Sequence, residues 1–189
     1  MEAFLISTAI VTLAEIGDKT QLLSLLLAAR FRRPWPIILG ILIATLANHA
    51  FAAAVGTWIT TVLGPHTLRW VLGLSFIAMA LWMLIPDKLE DTGPTGPRLG
   101  VLGTTVVAFF LAEMGDKTQI ATVALAARHD AYTAVVAGTT LGMMLANVPA
   151  VFLGDAAATR LPVRLIHAVG AMLLAAMAIA TLMGVTIHR

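Results

Sequence analysis

The chain has 189 residues, of which 59% are hydrophobic and 12% charged, with a formal net charge of +2 and no cysteine. A soluble domain carries about twice that charged fraction, so a membrane protein is expected. The small positive excess comes mostly from loop arginines and reports topology rather than nucleic-acid binding, and the lack of cysteine excludes disulfides, thiolate metal sites and thiol nucleophiles.

Six apolar segments follow in chain order. The first runs from about Ala3 to Ala29 and is stopped by Arg30-Phe31-Arg32-Arg33-Pro34. Its start, Met1-Glu2-Ala3, lacks the basic region of a signal peptide, and its apolar run ends in Glu15-Ile16-Gly17-Asp18 rather than at a small-residue cleavage site, so it is read as a retained helix. The second runs from about Trp35 to Leu63 and ends at Gly64-Pro65. The third runs from about Leu68 to Ile85 and ends at Pro86-Asp87. A polar linker rich in Pro, Gly and charge follows over 87–98, dividing a first half, 1–86, from a second, 99–189. The remaining segments run from about Leu99 to Ala127, Ala131 to Leu153 and Leu161 to Ile187. Each is long enough for a hydrocarbon core of about 30 Å, and open sheets cannot span lipid, so all are expected to be helices.

The hexapeptide Glu15-Ile16-Gly17-Asp18-Lys19-Thr20 recurs as Glu113-Met114-Gly115-Asp116-Lys117-Thr118. The repeat continues: Gln21 matches Gln119, Ala28-Ala29-Arg30 matches Ala126-Ala127-Arg128, and Gly40 matches Gly138. Leu46-Ala47-Asn48 then matches Leu145-Ala146-Asn147 after a one-residue slip, and Gly56 matches Gly154. Three crossings per half is an odd number, so the second half enters from the opposite side. The expected fold is an all-α membrane protein of six transmembrane helices in two inverted three-helix repeats. Lys and Arg after segments one, three and five (Arg30, Arg32, Arg33, Lys88, Arg98, Arg160, Arg164) outnumber those on the other side (Arg69, Arg128, Arg189), which predicts both termini outside the cytoplasm.

Ionisable residues inside a membrane segment mark function by default. Residues three and four apart share one helix face, so Glu15, Asp18 and Lys19 are expected on one side, as are Glu113, Asp116 and Lys117. Inverted repeats would bring these faces together near the midplane. Four carboxylates against two ammoniums leave two excess negative charges, which one divalent cation or two protons would neutralise. Mutual exclusion of the two is the simplest exchanger, with the carboxylates titrating as a coupled set. The expected cation ligands are Glu15, Asp18, Glu113 and Asp116. Gln21, Gln119, Asn48, Asn147, Thr20 and Thr118 supply further oxygens as ligands or supporting groups. Such a hard oxygen set suits Ca²⁺, Mg²⁺ or Mn²⁺.

Gly17 and Gly115 either loosen the helix and free carbonyl oxygens or provide ordinary close packing. Lys19 and Lys117 balance charge, either by pairing with carboxylates when the cation is absent or by tethering them in fixed geometry. Asn48 and Asn147 are also suited to interhelical hydrogen bonding. His49 adjoins Asn48, but Val148 stands at the matched position, so a ligand role for His49 is the lesser reading. His66, His129, His167 and His188 are read as loop or interfacial residues. Pro149 is expected to kink its segment and free a carbonyl near Leu145.

A duplicated Glu-x-Gly-Asp-Lys-Thr motif, one per three-helix half, resembles the Golgi calcium/manganese transporter family, its bacterial manganese exporters and the wider cation/proton-exchanger superfamily. The resemblance covers essentially the whole chain. It implies exchange of Mn²⁺ or Ca²⁺ for H⁺, with Glu15, Asp18, Glu113 and Asp116 binding the ion and no cofactor. The short central linker and the lack of a leader suit a prokaryotic inner membrane, where export of Mn²⁺ from the cytoplasm is the expected task. Lipid and a divalent cation are the expected partners. The rivals are a Ca²⁺/H⁺ exchanger on the same scaffold, a small-solute exporter such as one for amino acids, a channel, and an intramembrane hydrolase using two carboxylates. The hydrolase leaves the duplicated lysines and the inverted symmetry without a role, so no enzyme activity is expected.

Overall fold

A computed structural model of the chain describes residues 1–85, 99–153 and 163–184. These form eight α-helices: α1 Glu2–Glu15, α2 Lys19–Phe31, α3 Pro34–Val62, α4 Pro65–Met83, α5 Gly100–Glu113, α6 Lys117–His129, α7 Tyr132–Leu153 and α8 Val163–Leu182. Pro34 and Pro65 open α3 and α4, where a proline ring presets the helical φ and its missing N–H is no loss. Arg32 (φ 53°) and Asp130 (φ 44°) close α2 and α6 in the left-handed conformation. The linker expected at 87–98 lies outside the described residues, as do Gly154, Arg160 and His188.

The first and fourth apolar segments are each split at the hexapeptide. At 1.5 Å per residue, α1 with 14 residues and α2 with 13 each reach only about 20 Å, short of a hydrocarbon core. The helices α3, α4, α7 and α8 are long and apolar enough to cross a membrane. Pro149 lies inside α7, which runs through it as one helix.

Polarity is arranged opposite to that of a water-soluble protein. Trp35, Phe51, Leu81 and Met172 are exposed, whereas Glu15, Asp18, Asn48, Glu113 and Asn147 are buried. An apolar exterior around a polar centre suits lipid on the outside. Trp35 meets Phe152 edge-on at 5.9 Å on that exterior.

The two halves interlock. The long helix of each half packs on the split pair of the other: α3 on α5 and α6, and α7 on α1 and α2. Glycine permits these close approaches. A Cβ at Gly40 of α3 would sit 2.7 Å from the Thr105 Cβ of α5, and one at the matched Gly138 of α7 would sit 3.0 Å from the Ser7 Cβ of α1. Val11, Ile37, Ile41, Phe109 and Met143 fill the space between α1, α3, α5 and α7. The helices α4 and α8 pair with each other through Leu72, Phe76, Met79, Leu174 and Ala178. This interlocking buries the acids of both hexapeptides, Glu15, Asp18, Glu113 and Asp116, between the halves.

Candidate cation site

Each hexapeptide breaks its helix in the same way. Ile16 leaves α1 in an extended conformation, Gly17 turns with φ +83°, and Asp18 is extended again at the N-cap of α2. Met114, Gly115 (φ +77°) and Asp116 repeat these steps between α5 and α6. The positive φ favours glycine, and the helix is interrupted at Gly17 and at Gly115. The broken backbone is held from within the motif: Gly17 N–H donates to Gln21 Oε1 at 2.8 Å, and Gly115 N–H to Gln119 Oε1 at 2.7 Å.

The break changes how the acids meet. A shared helix face for Glu15, Asp18 and Lys19 presupposes continuous helix, and no such helix passes through Ile16–Asp18 or Met114–Asp116. Glu15 and Glu113 instead close α1 and α5, while Asp18 and Asp116 cap α2 and α6. Two helix C-termini bring partial negative charge to a cation, and two N-termini bring partial positive charge to the aspartates.

The lysines reach across the halves. Lys117 Nζ lies 2.5 Å from Asp18 Oδ1, and Lys19 Nζ lies 3.0 Å from Asp116 Oδ1. Each glutamate keeps a partner from its own motif: the Thr20 hydroxyl donates to Glu15 Oε2, and the Thr118 hydroxyl to Glu113 Oε1. All four acids are buried. One carboxylate oxygen from each of Glu15, Glu113 and Asp116 lies within 4.8 Å of the other two. Oxygens that share one cation at about 2.3–2.6 Å are separated by at most about 5 Å, so these three fit a common ion. Glu15 Oε1, Glu113 Oε2 and Asp116 Oδ2 are buried without a hydrogen-bond partner among the described residues. Buried carboxylate oxygens call for a proton or a cation. Asp18, expected from sequence as a fourth ligand, is not in this group and pairs with Lys117 instead.

The asparagines of α3 and α7 fasten the broken pairs. Asn48 Nδ2 donates to the Phe110 carbonyl at 3.1 Å and Asn48 Oδ1 accepts from Gln119 at 3.4 Å, bridging α5 and α6. Asn147 Oδ1 accepts from Ser24 of α2 at 2.7 Å. Gln21 Nε2 donates to the Ala146 carbonyl at 3.0 Å, one residue from the carbonyl expected to be freed near Pro149. Gln21, Gln119, Asn48 and Asn147 thus hold the breaks from around the acids.

Three residues near this centre were not assigned to it from sequence. Ser24 follows Gln21 by one helical turn, a spacing that marks a shared face, but Thr122 at the matched position bonds its own helix instead. His167, read as interfacial, is buried on α8 and its Nε2 lies 2.7 Å from the Ile16 carbonyl exposed by the break. His49 is fully buried, with Nε2 3.5 Å from Glu113 Oε1. His66 is exposed in the first turn of α4, and His129 ends α6 partly buried.

Known proteins resemble this chain along nearly its whole length. Residues 3–91 and 101–188 each match the family model described as "Divalent cation/proton antiporter GDT1". A Vibrio cholerae protein named "Putative manganese exporter" is 54% identical over 182 residues, covering 96% of this chain and 90% of that protein. A Synechocystis GDT1-like protein is 29% identical over 194 residues, covering 92% and 93%. A chloroplast PAM71-homolog of Arabidopsis thaliana is 26% identical over 215 residues, covering 96% of this chain and 59% of that protein. No solved structure matches. With two motif-centred halves each matched, the chain belongs to the GDT1 family of divalent cation/proton antiporters, a family of transporters rather than enzymes.

Proposed function

We propose that this protein exports Mn²⁺ from the cytoplasm in exchange for protons, through one buried site that both hexapeptides build. The observation that carries this reading is the cluster of Glu15, Glu113 and Asp116, drawn from both halves and buried amid apolar helices. The Asp18–Lys117 and Asp116–Lys19 pairs are each neutral overall, so the two glutamates carry the two excess negative charges. One divalent cation balances them, and so do two protons. Thr20 and Thr118 suit both states, because a hydroxyl donates to a carboxylate and accepts from a carboxylic acid.

On this reading α1 with α2, and α5 with α6, each cross the bilayer as one broken helix. With α3, α4, α7 and α8 that makes six crossings, in inverted halves of residues 1–86 and 99–189 joined by the polar linker. Both termini lie outside the cytoplasm, and the membrane is the inner membrane of a prokaryote. Rocking of the interlocked halves exposes the central site to each side in turn. The manganese exporter name of the Vibrio relative favours Mn²⁺ as cargo. The oxygen-rich acids also suit Ca²⁺, which makes a Ca²⁺/H⁺ exchanger the second reading.

The test is metal uptake into proteoliposomes that hold a pH gradient, with Glu15→Gln/Glu113→Gln as control. Saturable Mn²⁺ flux that dissipates the gradient and vanishes in the control is expected. Flux of Ca²⁺ in preference to Mn²⁺ would favour the second reading. A well-folded protein that moves neither metal would overturn both.

A further inference from the structure

The two halves match closely around the acids, and His49 breaks that match. It follows Asn48 on α3, whereas Asn147 on α7 is followed by Val148. His49 is fully buried in the centre of an apolar molecule. The large majority of buried side-chain polar atoms have a hydrogen-bond partner, and one without it calls for an explanation. Here Nδ1 has no partner among the described residues, and Nε2 has only Glu113 Oε1 at 3.5 Å. That separation is at the long limit for a hydrogen bond. It is close to the spacing of two atoms that flank one ion: at bonds of about 2.1–2.5 Å, neighbouring ligands lie about 3.0–3.5 Å apart.

We propose that His49 Nε2 is a nitrogen ligand to the transported ion on the Glu113 side of the site, and that it sets the preference for Mn²⁺ over Ca²⁺ and Mg²⁺. The inference rests on the divalent-cation reading above and adds the source of its selectivity. Ca²⁺ and Mg²⁺ are hard ions served by oxygen, and neither gains from an imidazole. Mn²⁺ is served by oxygen as well, but as a first-row transition ion it also accepts an imidazole nitrogen. Replacing one oxygen by one nitrogen in an otherwise carboxylate-built site therefore disfavours the abundant hard ions while the acids still supply the charge. A single histidine suffices, which accounts for its presence in one half only.

Pulsed electron paramagnetic resonance on the purified full chain loaded with Mn²⁺ reads this contact directly. The spectrum of the unsubstituted protein should carry the modulation of a coordinated imidazole nitrogen. It should shift when the protein is grown with isotope-labelled histidine, a comparison that needs no substitution and is free of folding defects. His49→Gln should abolish the modulation and His167→Gln should leave it. In competition binding, His49→Gln should lower the Mn²⁺-over-Ca²⁺ ratio by about tenfold. Bound Mn²⁺ without histidine modulation, modulation that survives His49→Gln, or an equal loss of affinity for both metals would each overturn the assignment. Absence of any Mn²⁺ binding by the unsubstituted protein would instead overturn the proposed function, and this assignment with it.

Discussion

Lys117, in the hexapeptide of the second half, sits 2.5 Å from Asp18 in the hexapeptide of the first. Lys19 returns the contact to Asp116 at 3.0 Å. Each lysine thus makes its ion pair with the aspartate of the other hexapeptide. Each half therefore supplies an acid that pairs with a lysine of the other half, so the interlocked halves complete the centre together.

The two pairs should differ in their effect on stability. Lys117 is 3% exposed and Lys19 28%. Removing one partner of a buried pair costs about 3–5 kcal/mol, so Lys117→Ala should fall in that range. Lys19→Ala should cost less than Lys117→Ala, since Lys19 is the more exposed ammonium and water can reach the position it vacates beside Asp116. Thermal unfolding in detergent checks the order. The double variant Asp18→Asn/Lys117→Met should recover most of the stability but not transport, because the pair is removed as a unit.

The glycines at the breaks should also differ. Alanine at either position must hold a positive φ, a cost of about 1–2 kcal/mol. At Gly115 a new Cβ meets no described atom within 4 Å, whereas at Gly17 it presses into Val163 of α8. Gly17→Ala should therefore be the more damaging for both folding yield and unfolding temperature. Equal effects would contradict the contact of α8 with the first break.

Glu15→Gln and Asp116→Asn keep size and most hydrogen bonding but remove charge from the clustered oxygens. Each should reduce Mn²⁺ transport at least about 100-fold, corresponding to about 2.7 kcal/mol of lost interaction, while the protein still purifies as a folded species. Normal flux in either variant would remove that residue from the site.

Thr20 tests whether the glutamates need a partner that both donates and accepts. Thr20→Val preserves shape and removes the hydroxyl that bonds Glu15, so transport should fall about tenfold, in line with one lost hydrogen bond to a charged group. Thr20→Ser should retain most of the rate. A rate retained in Thr20→Val but lost in Thr20→Ser would show that shape rather than the hydroxyl matters.

The acids of the site were legible because membrane segments penalise charge, so an acid there, occurring twice, signals function. The glutamines and asparagines were legible because they repeat with the acids. The face shared by Glu15, Asp18 and Lys19 was misjudged because helical spacing holds only where the helix continues, and Gly17 ends it with a positive φ. Pairing between Lys117 and Asp18 arises from tertiary packing, and nothing local in either hexapeptide encodes it. Ser24, His49 and His167 escaped assignment for one reason: none has an identical residue at the matched position of the other half, so the repeat carried no second copy to reveal it. The division of the first apolar run into α1 and α2 was foreshadowed by the hexapeptide, but its geometry became visible only with the backbone in place.

The central claim is that two hexapeptides build one cation site rather than two. Counting Mn²⁺ bound per chain in the purified protein, with Glu15→Gln and Glu113→Gln measured singly, tests it most directly. The shared site predicts one ion per chain and loss of that ion in either variant. Two ions per chain, with each variant losing only one, would contradict it.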